Sequence, residues 1–225
     1  MGNESLTEKE RARIVYERLL ETFGMPVWEK RPALDELILT ILSQNTNDRN
    51  RDIAYATMRK KYPTWEAVMA APGDDLIDTV RVAGLGNQKA PRIQAVLNKV
   101  STEFGTLDLE ILKTWESDRV FEWLVGLNGV GPKTASIVML FSLDMPAFPV
   151  DTHVYRVSGR IGLRPDSIPV NRAHQYLAAF FEQEEYGPAH MNLIYLGRRI
   201  CNARKPKCYD CPLTDVCLYE NKNLE

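Results

Sequence analysis

Leu127-Asn128-Gly129-Val130-Gly131-Pro132-Lys133-Thr134-Ala135 is the stretch on which the fold turns. Gly129 and Gly131 can both take positive φ and let another backbone come close. Pro132 suits the first turn of a helix, where its missing N–H costs nothing. The stretch therefore joins two helices, and the free N–H groups of the turn and helix start form an anion site suited to a phosphate. Lys133 falls just inside the second helix. A lysine is ordinarily solvated, but a cation at a helix N-terminus opposes the dipole, which favours the neutral amine. A neutral amine is what attack through a Schiff base requires.

Helical signals continue on both sides. Thr7-x-x-Glu10 has the pattern of a capping box, followed by Val15, Leu19 and Phe23 at helical spacing and a stop at Gly24. Pro32 can open a second helix with Leu34, Leu37, Ile38, Ile41 and Leu42 on its apolar face. Thr64, Asp74 and Asp118 are expected N-caps, and Ile93, Val96, Leu97, Val100 and Phe104 mark a long helix closed by Gly105. Gly84-Leu85-Gly86 echoes Gly129-Val130-Gly131 as a second helix–turn–helix joint. No run alternates with period two, and Pro149 removes a ladder donor from Ala147–Val150, so the expected class is all-α.

Pro149-Val150-Asp151-Thr152-His153-Val154 leads into another helix. Asp151 or Thr152 can serve as its N-cap. A carboxylate there stays ionised near the helix N-terminus and can also stabilise a cationic transition state. His153 reads as structural or as a phosphate contact.

All four cysteines lie in Cys201-x6-Cys208-x2-Cys211-x5-Cys217. Two disulfides packed so tightly are disfavoured in a cytosolic chain, so metal ligation is the better reading. Four thiolates can hold zinc or an iron–sulfur cluster, and a single short Cys pair leans toward iron–sulfur. Arg204, Lys205 and Lys207, just after Arg198 and Arg199, form the densest basic patch and a possible phosphate clamp.

The chain has 225 residues, enough for one large domain or two small lobes. Its net charge of −2 gives no global support for nucleic-acid binding, so any DNA contact must use a local basic face. No apolar run approaches a membrane span and no signal-peptide segment opens the chain, so a cytoplasmic, nucleoid-associated monomer is expected.

The hairpin stretch, Val150-Asp151-Thr152-His153-Val154-Tyr155-Arg156-Val157, and the four cysteines with Ala203-Arg204-Lys205-Pro206 together resemble the endonuclease III branch of the helix–hairpin–helix DNA glycosylases. The resemblance covers nearly the whole chain. It implies two helical lobes with a DNA-binding cleft, expected here at 26–145 and at 1–25 plus 146–225, and a 4Fe–4S cluster on Cys201, Cys208, Cys211 and Cys217. It implies a bifunctional glycosylase and abasic-site lyase acting on oxidised pyrimidines in double-stranded DNA, with the target nucleotide flipped out. Lys133 matches the nucleophile and Asp151 the assisting carboxylate. Leu85 resembles a wedge residue, and Asn45, or Gln44 beside it, a residue that fills the vacated space. Gly129, Gly131, Thr152, His153, Arg204, Lys205 and Lys207 are expected further DNA contacts. Gly86 stands where the family commonly has a bulkier residue after the wedge.

Three other readings compete. The adenine-mismatch branch lacks the hairpin lysine and usually carries a further C-terminal domain, so Lys133 and the eight residues after Cys217 count against it. A monofunctional mismatch glycosylase is a second alternative. A non-catalytic DNA-binding module is the third, and it has no particular need for both Lys133 and Asp151.

Overall fold

A computed structural model of the protein describes residues 6–225. Among these residues there are no strands. The α-helices are, in order, α1 (Glu8–Phe23), α2 (Ala33–Ser43), α3 (Asp48–Lys61), α4 (Trp65–Met69), α5 (Gly73–Val80), α6 (Gly86–Phe104), α7 (Ser117–Val125), α8 (Pro132–Phe141), α9 (Thr152–Ile161), α10 (Val170–Ala178) and α11 (Tyr186–Arg199). The chain divides into two compact units, one of Met1–Glu29 with Pro146–Glu225 and the other of Lys30–Met145.

The first unit joins the two ends of the chain. Ala12, Val15 and Leu19 of α1 share a core with Val154, Val157 and Ile161 of α9, Leu193 and Leu196 of α11, and Leu213 and Val216 beyond it. The Thr7–Glu10 capping box forms, with the Glu10 N–H on Thr7 Oγ1 at 3.2 Å and the Thr7 N–H on Glu10 Oε2 at 2.9 Å. Gly24 ends α1 at φ 76°. Two arginines of α1 hold the C-terminal loop: buried Arg11 donates to the Val216 carbonyl, and Arg18 donates to the Pro212 carbonyl (3.1 Å) and to Asp215 (3.0 Å from Nη2). Phe148 stacks on Phe181 with centroids 5.4 Å apart, fixing the segment before Asp151.

The second unit is built around α2. Ala33, Leu34 and every residue from Leu37 to Leu42 are buried, as expected of a helix with apolar side chains on most of its surface. α2 packs on α8, α3 and α6. Thr64 caps α4 through the Ala67 N–H (3.2 Å). Two other expected caps are not caps. Asp74 and Asp118 lie inside the first turns of α5 and α7, whose N-cap positions are Pro72 and Glu116. A carboxylate in the first turn still meets the positive end of the helix dipole, so these residues mark a helix start without bonding across it.

Gly84 and Gly129, the first glycines of the two joints, are left-handed at φ 71° and 80°. Their second glycines are not. Gly86 is already inside α6, and Gly131 is extended (φ −99°, ψ 178°) as the N-cap of α8, so the positive φ expected there is not used. The hairpin turn needs only one left-handed residue, because the Val130 N–H already closes on the Leu127 carbonyl (3.0 Å).

Candidate functional site

In the second unit, the hairpin between α7 and α8 is held from two sides. Gln44, just past α2, donates from Nε2 to the Gly129 carbonyl at 2.9 Å. Arg92 of α6 donates to Gln44 Oε1 at 3.3 Å, and its side chain lies against Gly129 so closely that an added Cβ would sit 2.6 Å from Arg92 Cδ. Gly129 is thus required twice, for its left-handed φ and for this contact. The Gln44 amide is committed to the hairpin. The neighbouring Asn45 instead stands exposed, in the left-handed region at φ 53°. Leu85 is similarly left-handed (φ 52°) and 44% exposed, although leucine gains nothing from either condition.

The hairpin presents Lys133 as the second residue of α8, half-buried. Thr134, Ala135 and Ser136 after it are buried, which fixes the helix face from which the lysine projects. Glu36 of α2 lies near enough for its charge to interact with that of Lys133. Its side chain is only 13% exposed, 3.8 Å from Arg31, and accepts a hydrogen bond from Thr40 Oγ1 (3.3 Å). Burial pushes the Glu36 carboxyl above the usual carboxylate range, and Arg31, Thr40, Lys133 and Arg51 pull it only part of the way back. A raised carboxyl pKa means that Glu36 contributes most to stability while protonated, and that this contribution falls as pH rises through the folded-state value. The Glu36→Gln variant is therefore expected to match the parent near pH 4 and to melt measurably higher than it at pH 8. A lower melting temperature for the variant at pH 8 would show that the charge partners outweigh desolvation.

In the first unit, Asp151 is the N-cap of α9 and accepts from the Val154 N–H at 2.7 Å. This cap uses Oδ1, so the capping and electrostatic roles can coexist. The segment leading to it is clasped by two buried histidines: His190 Nδ1 donates to the Pro149 carbonyl (2.9 Å), and His174 Nδ1 lies 3.2 Å from the Val150 nitrogen. Thr152 is exposed. His153 is half-buried, with Nδ1 3.3 Å from Arg156 Nη2, which fits its reading as a structural residue.

The four cysteines line one pocket together with Ile161, Leu196, Ile200 and Pro206, and Arg160 and Lys222 border it. They form no disulfide. Among the described residues, no three His, Cys, Asp or Glu side chains are gathered tightly enough to hold a single metal ion. Burial pushes the Cys211 thiol up to about 11, and the other three cysteines push it the same way, so the sulfurs sense one another. Cys217 is raised for the same reasons. Arg160 Nη1 approaches Cys201 Sγ at 3.5 Å, and the Tyr219 N–H points at Cys217 Sγ at 3.5 Å. Arg160 and Arg156 also fasten the loop after Cys201, through the carbonyls of Asn202 (2.7 Å) and Cys201 (2.9 Å). Arg204, Lys205 and Lys207 on that loop are all exposed, with Lys205 left-handed at φ 50°.

Sequence reasoning passed over several polar residues, among them Arg92, His174, His190, Arg160, Glu36 and Lys89. The signal for Lys89 was present: it stands four residues before Ile93 on the apolar stripe of α6, and it is 1% exposed. Glu36 gave less warning, because one charged residue beside an apolar face is ordinary.

Residues 38–183 match the HhH-GPD superfamily of base excision DNA repair proteins. The chain is 32% identical over 197 residues to endonuclease III of Sulfolobus acidocaldarius, covering 87% of this chain and 86% of that one. It is 33% identical over 181 residues to endonuclease III of Thermotoga maritima, covering 80% of each. Among solved structures, endonuclease III in a non-covalent complex with DNA superposes with a TM-score of 0.82 at 30% identity, covering 94% of this chain and 95% of that one. With the hairpin, the capped aspartate and the cysteine loop in the order described, the chain belongs to the HhH-GPD superfamily of base excision DNA repair proteins, in its endonuclease III branch.

Proposed function

We propose that this protein is a bifunctional DNA glycosylase and abasic-site lyase that removes oxidised pyrimidines from duplex DNA. The observation that carries the reading is Lys133, set at the second position of α8 on a hairpin pinned by Gln44 and Arg92. In the proposed reaction the neutral Lys133 amine attacks C1′ of a flipped nucleotide and the bond from C1′ to the base breaks. The base leaves with the electron pair and is protonated. The Asp151 carboxylate stabilises the positive charge that develops on the sugar. The ring opens to a Schiff base on Lys133, loss of a C2′ proton follows, and the bond from C3′ to the phosphate oxygen breaks, cutting the strand 3′ to the lesion.

DNA contacts are proposed on both units. Hairpin backbone amides around Gly129 and Gly131 suit a phosphate. Exposed Asn45 and Leu85 suit insertion at the lesion, while Gln44 serves chiefly to hold the hairpin. Thr152, with His153 beside it, and the basic loop of Arg204, Lys205 and Lys207 suit further backbone contacts.

A 4Fe–4S cluster fits the cysteine cavity. Four cysteines line one pocket, and Arg160, Lys222 and the Tyr219 N–H offer charge and hydrogen bonds to thiolate sulfur. When bound, the cluster would supply a fixed anchor for the basic loop and take no part in the chemistry at the sugar. Cys208→Ala is expected to lower soluble yield or weaken DNA binding several-fold, with the single-turnover rate of the folded, DNA-bound fraction changed by less than about twofold. Normal iron content and binding in that variant would contradict this assignment.

The test of the function is incision of a duplex containing one thymine glycol. Free base and a 3′-cleaved strand formed at matched rates are expected. Base release without cleavage would indicate a monofunctional glycosylase.

A further inference from the structure

A lysine in the second unit has its ammonium inside the protein. Lys89, near the start of α6, donates from Nζ to the Leu42 carbonyl and to the Ala83 carbonyl, both at 2.7 Å. These acceptors belong to segments far apart in sequence. Leu42 is in the last turn of α2, three residues before Asn45. Ala83 is two residues before Leu85. Each segment then places an exposed side chain on a non-glycine residue in the left-handed region, at φ 53° and 52°. Such a conformation persists only where the surroundings impose it. A buried ammonium shared between two carbonyls is also expensive to leave unpaired, so the two segments are linked strongly. Neither Asn45 nor Leu85 gains burial from its position, and neither is needed to complete the core.

We propose that Lys89 is a positioning residue, a single buried brace that presets the Asn45 and Leu85 segments as one unit for insertion at the lesion. This rests on the function proposed above, in which those two residues enter the duplex. A residue that served only the fold would affect all DNA alike. The brace instead affects the step in which a damaged site is told from an intact one.

The test uses the full chain and two duplexes identical except for one tetrahydrofuran abasic analogue. The wild-type chain is expected to prefer the analogue. Lys89→Met, which keeps the length and removes the donors, is expected to cut that preference roughly tenfold, with affinity for the intact duplex unchanged within about twofold. Leu85→Ala should cut it similarly, and the double variant should fall little further, since both act through one arrangement. A preference retained by Lys89→Met, or fully additive losses, would overturn the brace. A wild-type chain with no preference for the analogue would instead defeat the function on which the brace rests. Should Lys89→Met fail to fold, hydrogen exchange on the wild type decides the matter: the Gln44 and Gly84 amides are expected to open with a common free energy, and independent opening would overturn the proposal.

Discussion

Lys133→Ala is expected to abolish strand cleavage and to slow base release by ~10³-fold or more, equivalent to upwards of about 4 kcal/mol of barrier. Stability should change little, because the lost attraction to the buried Glu36 carboxyl is offset at the helix start. The replaced residue is half-buried at the start of α8, alanine is the best helix former, and a cation is removed from the positive end of the dipole. Thermal melting and single-turnover kinetics on one preparation separate the two effects. A variant that lost activity and melted well below the parent would make Lys133 a structural residue, and one that kept cleavage would place the nucleophile elsewhere.

Asp151 carries the second large effect, and its cap makes the prediction sharper. Its Oδ1 accepts from the Val154 N–H at 2.7 Å, a bond that an asparagine oxygen can also make. Asp151→Asn should therefore fold with nearly the parent's melting temperature. Asp151→Ala should lose about 1 kcal/mol, as helices do when an N-cap side chain is removed, and melt about 2–4 °C lower. Both should lose base release by roughly 10²–10³-fold, because both remove the negative charge available to the sugar. Near-normal activity in Asp151→Asn would reduce the residue to a helix cap.

The fold was largely legible in advance because its punctuation is local. The Thr7–Glu10 box, Gly24, Thr64 and Gly105 act through bonds within a few residues, and each stands where its chemistry predicts. Asp74 and Asp118 each stand two positions past the cap because the dipole attracts a carboxylate anywhere in the first turn. Glycine at 131 permits positive φ, but only the closed turn at Val130 shows that one left-handed residue suffices. The site was less legible wherever partners are distant in sequence. Nothing near Gln44 reveals that its amide serves Gly129, 85 residues away, or that Lys89 reaches back 47 residues to Leu42. Long-range pairings of this kind leave a trace in sequence only as a polar residue on an apolar stripe, and Lys89 is such a case.

The covalent bond to DNA is expected to form on Lys133. Borohydride reduction during reaction with an abasic-site duplex, followed by digestion and mass mapping of the adduct, tests it most directly. One adduct is expected, on the peptide containing Lys133, absent from Lys133→Ala and strongly reduced in Asp151→Asn. An adduct on another lysine, or base release by the wild type with no adduct at all, would contradict it.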